Sequence, residues 1–236
     1  MKKSIILFLC AILSVSCSNE NETPPVIQNP VRNLSYLALG DSYTIGQSVC
    51  ESCRFPAQLQ DSIKNYLSSS DNISLKIVAQ TGWTTTNLKT AIATENLNAT
   101  YDLVTLLIGV NNQYQNKPFE LYETEFQELL QTAITLAKGN SNHVIVVSIP
   151  DYAFTPFGQS GSNPENISNQ LDNYNLFAKN HAESLGVTFV NITDITREGL
   201  NNPALVASDN LHPSELAYTK FVERLLPFVK QKINLP

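Results

Sequence analysis

The sequence predicts an α/β domain in which a five-stranded parallel sheet lies between two layers of helices, a three-layer α/β/α sandwich. Two observations carry this expectation. From Asn33 onward, short apolar runs alternate with longer amphipathic segments, the pattern left by strands joined through helical crossovers. The clearest run, Leu103-Val104-Thr105-Leu106-Leu107-Ile108, is apolar apart from one threonine, as a parallel strand covered on both faces must be.

The elements follow in order. A first strand is expected over 36–39, then a helix over 56–67 with Leu59, Ile63 and Leu67 along one face and a proline in its first turn. A strand over 73–79 leads to a helix over 84–95, for which Thr84, Thr85 and Thr86 offer caps. After the third strand, over 101–108, a helix spans 119–137. There Tyr122, Phe126, Leu129, Leu130, Ala133, Ile134 and Ala137 recur at helical spacing, and Lys138-Gly139 closes it. A fourth strand over 144–149 stops at Pro150. A helix over 164–185 ends at Gly186, a fifth strand covers 187–192, and a last helix runs over 213–229, where Pro227 can bend it.

At 236 residues, 42% of them hydrophobic and 15% charged, the chain suits one α/β domain of ordinary size. Its first residues read as an export signal. Lys2 and Lys3 precede an apolar segment from Ile5 to Val15, too short to span a bilayer as a helix. Ser14-Val15-Ser16-Cys17, followed by a polar, acidic tract, resembles a bacterial lipoprotein signal. Ser14 stands where an aliphatic residue is usual, and Leu13 lies one place earlier. The resemblance implies a signal over 1–16, lipidation of Cys17 and a membrane anchor on the periplasmic or cell-surface side. An ordinary secretory peptide cleaved nearby is the alternative. Residues 17–32, rich in Asn, Glu and Pro, read as a flexible tether, leaving 33–236 as the domain. Loss of Lys2 and Lys3, with no acid, takes the formal charge from −6 to −8. A net negative chain without basic runs argues against nucleic acid as a partner; a monomer is expected.

Cys10 lies in the leader and Cys17 is the lipidation candidate, so Cys50 and Cys53 remain as a pair. In an exported protein they are expected to form a disulfide. A loop this short gains only about 2 kcal/mol in chain entropy, so its use is local shape. A thioredoxin-like redox pair is the alternative, disfavoured because this CxxC does not open a helix directly after a strand. Two cysteines without clustered histidines make no zinc site, so no metal is expected.

Ligands in open parallel sheets bind beyond the carboxyl ends of the strands. There the sequence places Gly40-Asp41-Ser42 after the first strand, Gln80-Thr81-Gly82-Trp83 after the second and Gly109-Val110-Asn111-Asn112 after the third. Pro150-Asp151-Tyr152 follows the fourth strand, and Asp209-Asn210-Leu211-His212-Pro213 comes after the fifth. Any one of these is ordinary turn chemistry. Together, in order and at these spacings, they resemble the blocks of the SGNH hydrolases, also called GDSL esterases and lipases, from about Asn33 to Val229. The resemblance implies the flavodoxin-like fold of that family and a serine esterase that needs no cofactor.

The residues support that chemistry. Ser42 needs a base, and His212 is the best placed of three histidines, since His143 opens a strand and His181 lies in a helix. Asp209 can hold the other ring nitrogen, although Asp-x-x-His-Pro also reads as a helix cap. The resemblance implies an oxyanion hole from the Ser42 and Gly82 N–H groups and the Asn111 amide. Two positions depart from the family pattern: Asn112 stands where an aspartate is common, passing any acceptor role to an amide, and Tyr43 replaces a leucine. Trp83, Tyr152, Phe154 and Phe157 are candidates for the substrate pocket, and as large aromatics they fit the core equally. Short acyl esters, lysophospholipids and acetylated glycans all fit the expected activity. The rival from another class is a non-catalytic surface glycan-binding protein on the same fold.

Overall fold

The computed structural model describes residues 30–161 and 163–236. The expected leader, the lipidation candidate Cys17 and the tether up to residue 29 lie outside the described residues. Arg32 already packs on the domain: its N–H donates to Asp71 Oδ1 at 2.8 Å, and its guanidinium reaches the carbonyls of Ile233 and Asn234.

In chain order the elements are β1 (Asn33–Gly40), α1 (Ser42–Ile45), α2 (Phe55–Lys64), β2 (Asn72–Ala79) and α3 (Thr85–Thr94). Next come β3 (Leu103–Leu107), α4 (Val110–Tyr114), α5 (Phe119–Leu136), β4 (Val144–Val147) and α6 (Pro156–Gln159). The chain closes with α7 (Pro164–Ser184), β5 (Thr188–Val190), α8 (Thr193–Arg197) and α9 (Glu215–Lys232). The five strands form one parallel sheet in the order β2-β1-β3-β4-β5. Helices α2 and α9 pack together over one side, while α3, α5 and α7 form a second contacting set. Every residue of β3 and β4 is buried, as the continuous apolar runs require. The threonine that interrupts the β3 run is satisfied inside the core, where Thr105 Oγ1 pairs with Tyr36 OH at 2.9 Å.

The strands β3, β4 and β5 end earlier than their apolar runs, and for β4 and β5 the reason is polar. Past β4, the Ile149 N–H donates to Asn175 Oδ1 at 2.7 Å and its carbonyl accepts from Asn175 Nδ2 at 3.2 Å. One amide on α7 thus replaces the next rung of the ladder. Past β5, the N–H groups of Ile192 and Thr193 both donate to Ser148 Oγ. The last helix begins at Glu215, capped by Ser214, whose Oγ accepts from the Ala217 N–H. It runs through Pro227 to Lys232. The capping reading of Asp209 is therefore replaced: that carboxylate serves its own turn. Thr84 does stand at the N-cap of α3, in a capping box whose Asn87 Oδ1 reaches back to accept the Thr84 N–H at 3.0 Å.

Among the described residues no helix is long and apolar enough to cross a membrane. Asn175→Ala would leave the N–H of Ile149 without its partner at the end of β4, while the carbonyl keeps the Thr193 hydroxyl at 2.8 Å. The expected loss is about 2 kcal/mol, read as a lower urea midpoint at unchanged m-value.

Candidate active site

The order of the sheet reverses between β1 and β3, which makes their carboxyl ends the natural crevice. Gly40 stands level with Ala79 on one side and Leu107 on the other. No side chain fits there: a Cβ would come within 2.1 Å of Thr44 Oγ1 and 2.4 Å of the Leu107 carbonyl. Asp41 then caps α1, its Oδ1 accepting the Tyr43 N–H at 3.0 Å. Ser42 is thereby the first residue of a single helical turn, 4% exposed, and its N–H is one of the donors that a first turn leaves unpaired.

The second and third loops are fastened to each other. Asn111 Nδ2 donates to the Trp83 carbonyl at 3.0 Å, which uses one of two amide hydrogens and leaves the other free. Gln115 Nε2 donates to the Gly82 carbonyl at 3.1 Å. A Cβ on Gly82 would meet no protein atom within 4 Å. Its requirement for glycine comes from φ of +85° and not from crowding within the chain.

Asn112, fully buried, takes over the acceptor role of the usual aspartate. Its Oδ1 accepts the Thr85 N–H at 2.9 Å, while its Nδ2 donates to Thr85 Oγ1 at 2.7 Å. The Thr85 hydroxyl in turn donates to Glu125 Oε2 at 2.5 Å, and Thr86 also donates to Glu125. The acid of this cluster therefore lies one residue further back, on α5, with Lys89 3.7 Å from the Glu125 side chain.

The loop from Val206 to Pro213 is closed by an antiparallel bridge between its ends and by the Ala207 N–H donating to the His212 carbonyl at 2.7 Å. Inside it, Asp209 Oδ1 accepts the N–H groups of Leu211 and His212, each at 3.0 Å. Asp209 Oδ2 lies 2.6 Å from His212 Nδ1 and accepts a second bond, from Ser48 Oγ, also at 2.6 Å. Partial burial works to raise the Asp209 pKa, but the bonds from Ser48, His212 and Leu211 outweigh it and hold the carboxyl well below its ordinary value. An ionised Asp209 requires the proton on Nδ1, so the unprotonated Nε2 of a neutral His212 is free to act as a base. The Tyr43 ring packs edge-on against the His212 ring with centroids 5.8 Å apart.

Ser42, Gly82, Asn111 and His212 line one cavity of about 320 Å³. Its wall is aromatic: Tyr114, Tyr152 and Phe157 lie with ring centroids 6.1–6.5 Å apart. Tyr152 is fixed by its hydroxyl, which donates to Gln113 Oε1 at 2.8 Å, and by its neighbour Asp151, fully buried against Arg197 and Ser168. Two of the four aromatic candidates stand elsewhere. The Trp83 ring packs half-buried on the core and contributes its backbone carbonyl instead. Phe154 lies under the Arg197 guanidinium, 6.0 Å from ring centroid to carbon. Tyr43, Thr81, Val110 and Leu211 complete the lining; of the cavity residues, Tyr114, Leu211 and Thr81 carried no sequence signal beyond their loops. Ser48 was also missed. His143 sits in a 3₁₀ turn before β4, and His181 stacks on Phe177 in α7.

Cys50 and Cys53 form a disulfide. Among the described residues no group of three or more His, Cys, Asp or Glu side chains could hold a metal ion.

The family model for GDSL-like lipases and acylhydrolases matches residues 38–220. No curated protein matches the chain. Among solved structures, a variant of an acetyl xylan esterase from Geobacillus stearothermophilus is 19% identical at a TM-score of 0.65, over 84% of this chain and 96% of that one. A member of the lipolytic G-D-S-L family from Veillonella parvula is 18% identical at 0.61, over 82% and 97%. An α/β hydrolase from the metagenome of Lake Arreo, Spain, is 18% identical at 0.64, over 86% and 98%. At these identities the likeness is one of fold.

Burial raises the Asp41 pKa to about 7, against a lowering by the Tyr43 N–H, and leaves Oδ2 with no partner among the described residues. A carboxyl whose pKa rises on folding binds its proton more tightly in the native state, so stability falls as pH rises from the unfolded value near 4 through about 7. Asp41→Asn removes this dependence. Thermal melts at pH 5 and pH 8 should show the parent losing more than the variant, by a few kcal/mol, since each tenfold difference in proton affinity between the two states is worth roughly 1.4 kcal/mol.

Proposed function

Since the chain belongs to the GDSL-like lipase/acylhydrolase family, we propose that it is a serine esterase acting on a short acyl ester through an acyl-enzyme. The observation that carries this reading is the meeting of Ser42, Gly82, Asn111 and His212 around one cavity, with Asp209 bonded to the far side of the histidine. His212 Nε2 takes the Ser42 hydroxyl proton as Oγ attacks the carbonyl carbon. The carbonyl oxygen becomes an oxyanion and is met by the N–H groups of Ser42 and Gly82 and the free amide hydrogen of Asn111. As the tetrahedral intermediate collapses, the bond to the alcohol breaks and His212 returns the proton to the departing oxygen. Water, deprotonated by His212, then attacks the acyl-serine; the acid leaves and Ser42 regains its proton. Asp209 stabilises the imidazolium in both halves.

The small cavity and its aromatic wall favour a short acyl chain. On the alcohol side, a groove of about 710 Å³ runs between α4, the start of α5 and α7. It shares α4 with the cavity, Gln113 facing the groove and Tyr114 the cavity. Side-chain amides of Asn116, Gln170, Asn173 and Asn180 line it with one cation, Lys117, beside the rings of Phe119, Tyr174 and Phe177. Amides suit neutral hydroxyls and aromatic faces suit sugar C–H surfaces, which favours an acylated glycan over a lysophospholipid.

Hydrolysis of p-nitrophenyl acetate tests the chemistry. Ser42→Ala and His212→Ala should each lower kcat by about 10⁴-fold or more, and Asn111→Ala by about 10²-fold; full activity in Ser42→Ala would overturn the assignment. An ester panel tests the substrate. Asn173→Ala with Gln170→Ala should raise KM for acetylated oligosaccharides and leave p-nitrophenyl acetate unaffected. Glycan binding without hydrolysis of any ester would favour the non-catalytic reading.

A further inference from the structure

Between α1 and α2 the chain makes an eight-residue excursion, Gly46 to Cys53, that the esterase chemistry does not call for. Its base is closed tightly: a Cβ on Gly46, at φ +76°, would lie 2.4 Å from Arg54 Cβ, and the Arg54 guanidinium donates to the Ile45 carbonyl at 3.3 Å. Within it, Val49 N–H donates to the Gly46 carbonyl and Cys53 N–H to the Cys50 carbonyl. The disulfide crosses the second of these turns. Gln58 Nε2 holds the Cys53 carbonyl at 2.5 Å.

Two side chains of this loop reach other parts of the site. Gln47 Oε1 accepts from Thr81 Oγ1 at 2.6 Å, one residue before Gly82. Ser48 Oγ donates to Asp209 Oδ2, across 161 positions of sequence. Ser48 does so from φ +67°, a left-handed conformation that a serine adopts only when its surroundings impose it. A strained residue whose hydroxyl ends on the acid of the acid–base pair has a local reason to be there.

We propose that Ser48 is a positioning residue for Asp209, and that the Cys50–Cys53 disulfide holds the loop that delivers it. The proposal rests on the reading of Asp209 and His212 as the acid–base pair. Asp209 has about four lone-pair positions. Two backbone N–H groups take Oδ1, His212 Nδ1 and Ser48 Oγ share Oδ2, and the carboxylate plane has no rotation left. That plane sets the tilt of the imidazole and so the aim of Nε2. The Ser48 hydroxyl also draws negative charge away from the oxygen facing His212. Without it the imidazolium is better stabilised and the ring stays protonated to higher pH. Reduction of the exposed bridge by dithiothreitol, which gives up two electrons and two protons and becomes a cyclic disulfide, yields two thiols and frees the loop.

The test compares Ser48→Ala, Ser48→Gly and Ser48→Asn with the parent on p-nitrophenyl acetate. Alanine and glycine should both lower kcat about tenfold, the scale of one hydrogen bond to a charged group, with KM nearly constant and the acidic limb of kcat/KM moved to higher pH. Glycine relieves the backbone strain, so an equal loss in both assigns the effect to the hydroxyl. Asparagine tolerates the same φ and keeps a donor, and should recover activity. Dithiothreitol, or Cys50→Ser with Cys53→Ser, should reproduce the loss in the parent and add nothing to Ser48→Ala. A parent inactive on every ester would defeat the esterase reading alone, because the ring NMR signals of His212 still report the pair: in Ser48→Ala they should titrate at higher pH. Unchanged kinetics and unchanged ring titration in Ser48→Ala and Ser48→Gly would overturn the proposal, as would an equal effect of dithiothreitol on Ser48→Ala and the parent.

Discussion

The site inherits its geometry from the register of three parallel strands, β2, β1 and β3, which fixes Gly40 level with both Ala79 and Leu107. Ser42 lies two residues past that line, Gly82 three and Asn111 four, so three loops of different length converge on one cavity. A slip of one residue would move a whole strand end by roughly 3.3 Å and turn its side chains to the opposite face. That slip is resisted by burial: β3 is buried throughout and β1 over its last five residues. The hydrophobic core thus acts on the chemistry by denying the loops any other starting point.

Register alone would leave those loops loose, and the structure stiffens them with buried polar groups. Asn112, Thr85 and Glu125 form a chain of hydrogen bonds behind Gly82 and Asn111, and Asp151 with Arg197 and Ser168 forms another behind Tyr152. Buried polar networks bring little net stability but specify one arrangement when every member is satisfied. Asn112 illustrates the trade. As an amide it both accepts from and donates to Thr85, which frees the threonine proton for Glu125. A carboxylate at that position could only accept, and two acids would compete for one hydroxyl.

The strands and long helices were legible because periodicity reports burial, and burial is what builds them. The strand ends were less so. Nothing in Val144 to Ile149 reveals that Asn175, far along the chain, will take both backbone groups of Ile149. The short helices α1, α4, α6 and α8 escaped because four or five residues carry no period. At the cavity, Ser42, Gly82, Asn111 and His212 were legible as motifs, since each falls in a short block after a strand. The aromatic wall was not: Trp83 and Phe154 have the same composition cue as Tyr152 and Phe157, and only packing separates them. Ser48 was invisible for a deeper reason, because its contact with Asp209 spans most of the domain.

The stretch around Ser42 is energetically costly on both sides of that residue. Before it, Asp41 is buried with one oxygen unpartnered, and around it Thr44 Oγ1 and Tyr218 OH are likewise without partners among the described residues. Burial disfavours the charged carboxylate, and the one N–H that reaches it, from Tyr43 to Oδ1, only partly offsets that cost, so its pKa is driven up. After Ser42, Ser48 sits in a left-handed conformation. Such costs are sustained only where surrounding structure leaves no alternative. Here Gly40 admits no side chain and no wider turn before the serine, and the disulfide shortens the set of paths open to the loop after it. The same stretch that presents Ser42 therefore also reaches Asp209, so one continuous piece of backbone touches both the proposed nucleophile and the proposed orienting acid.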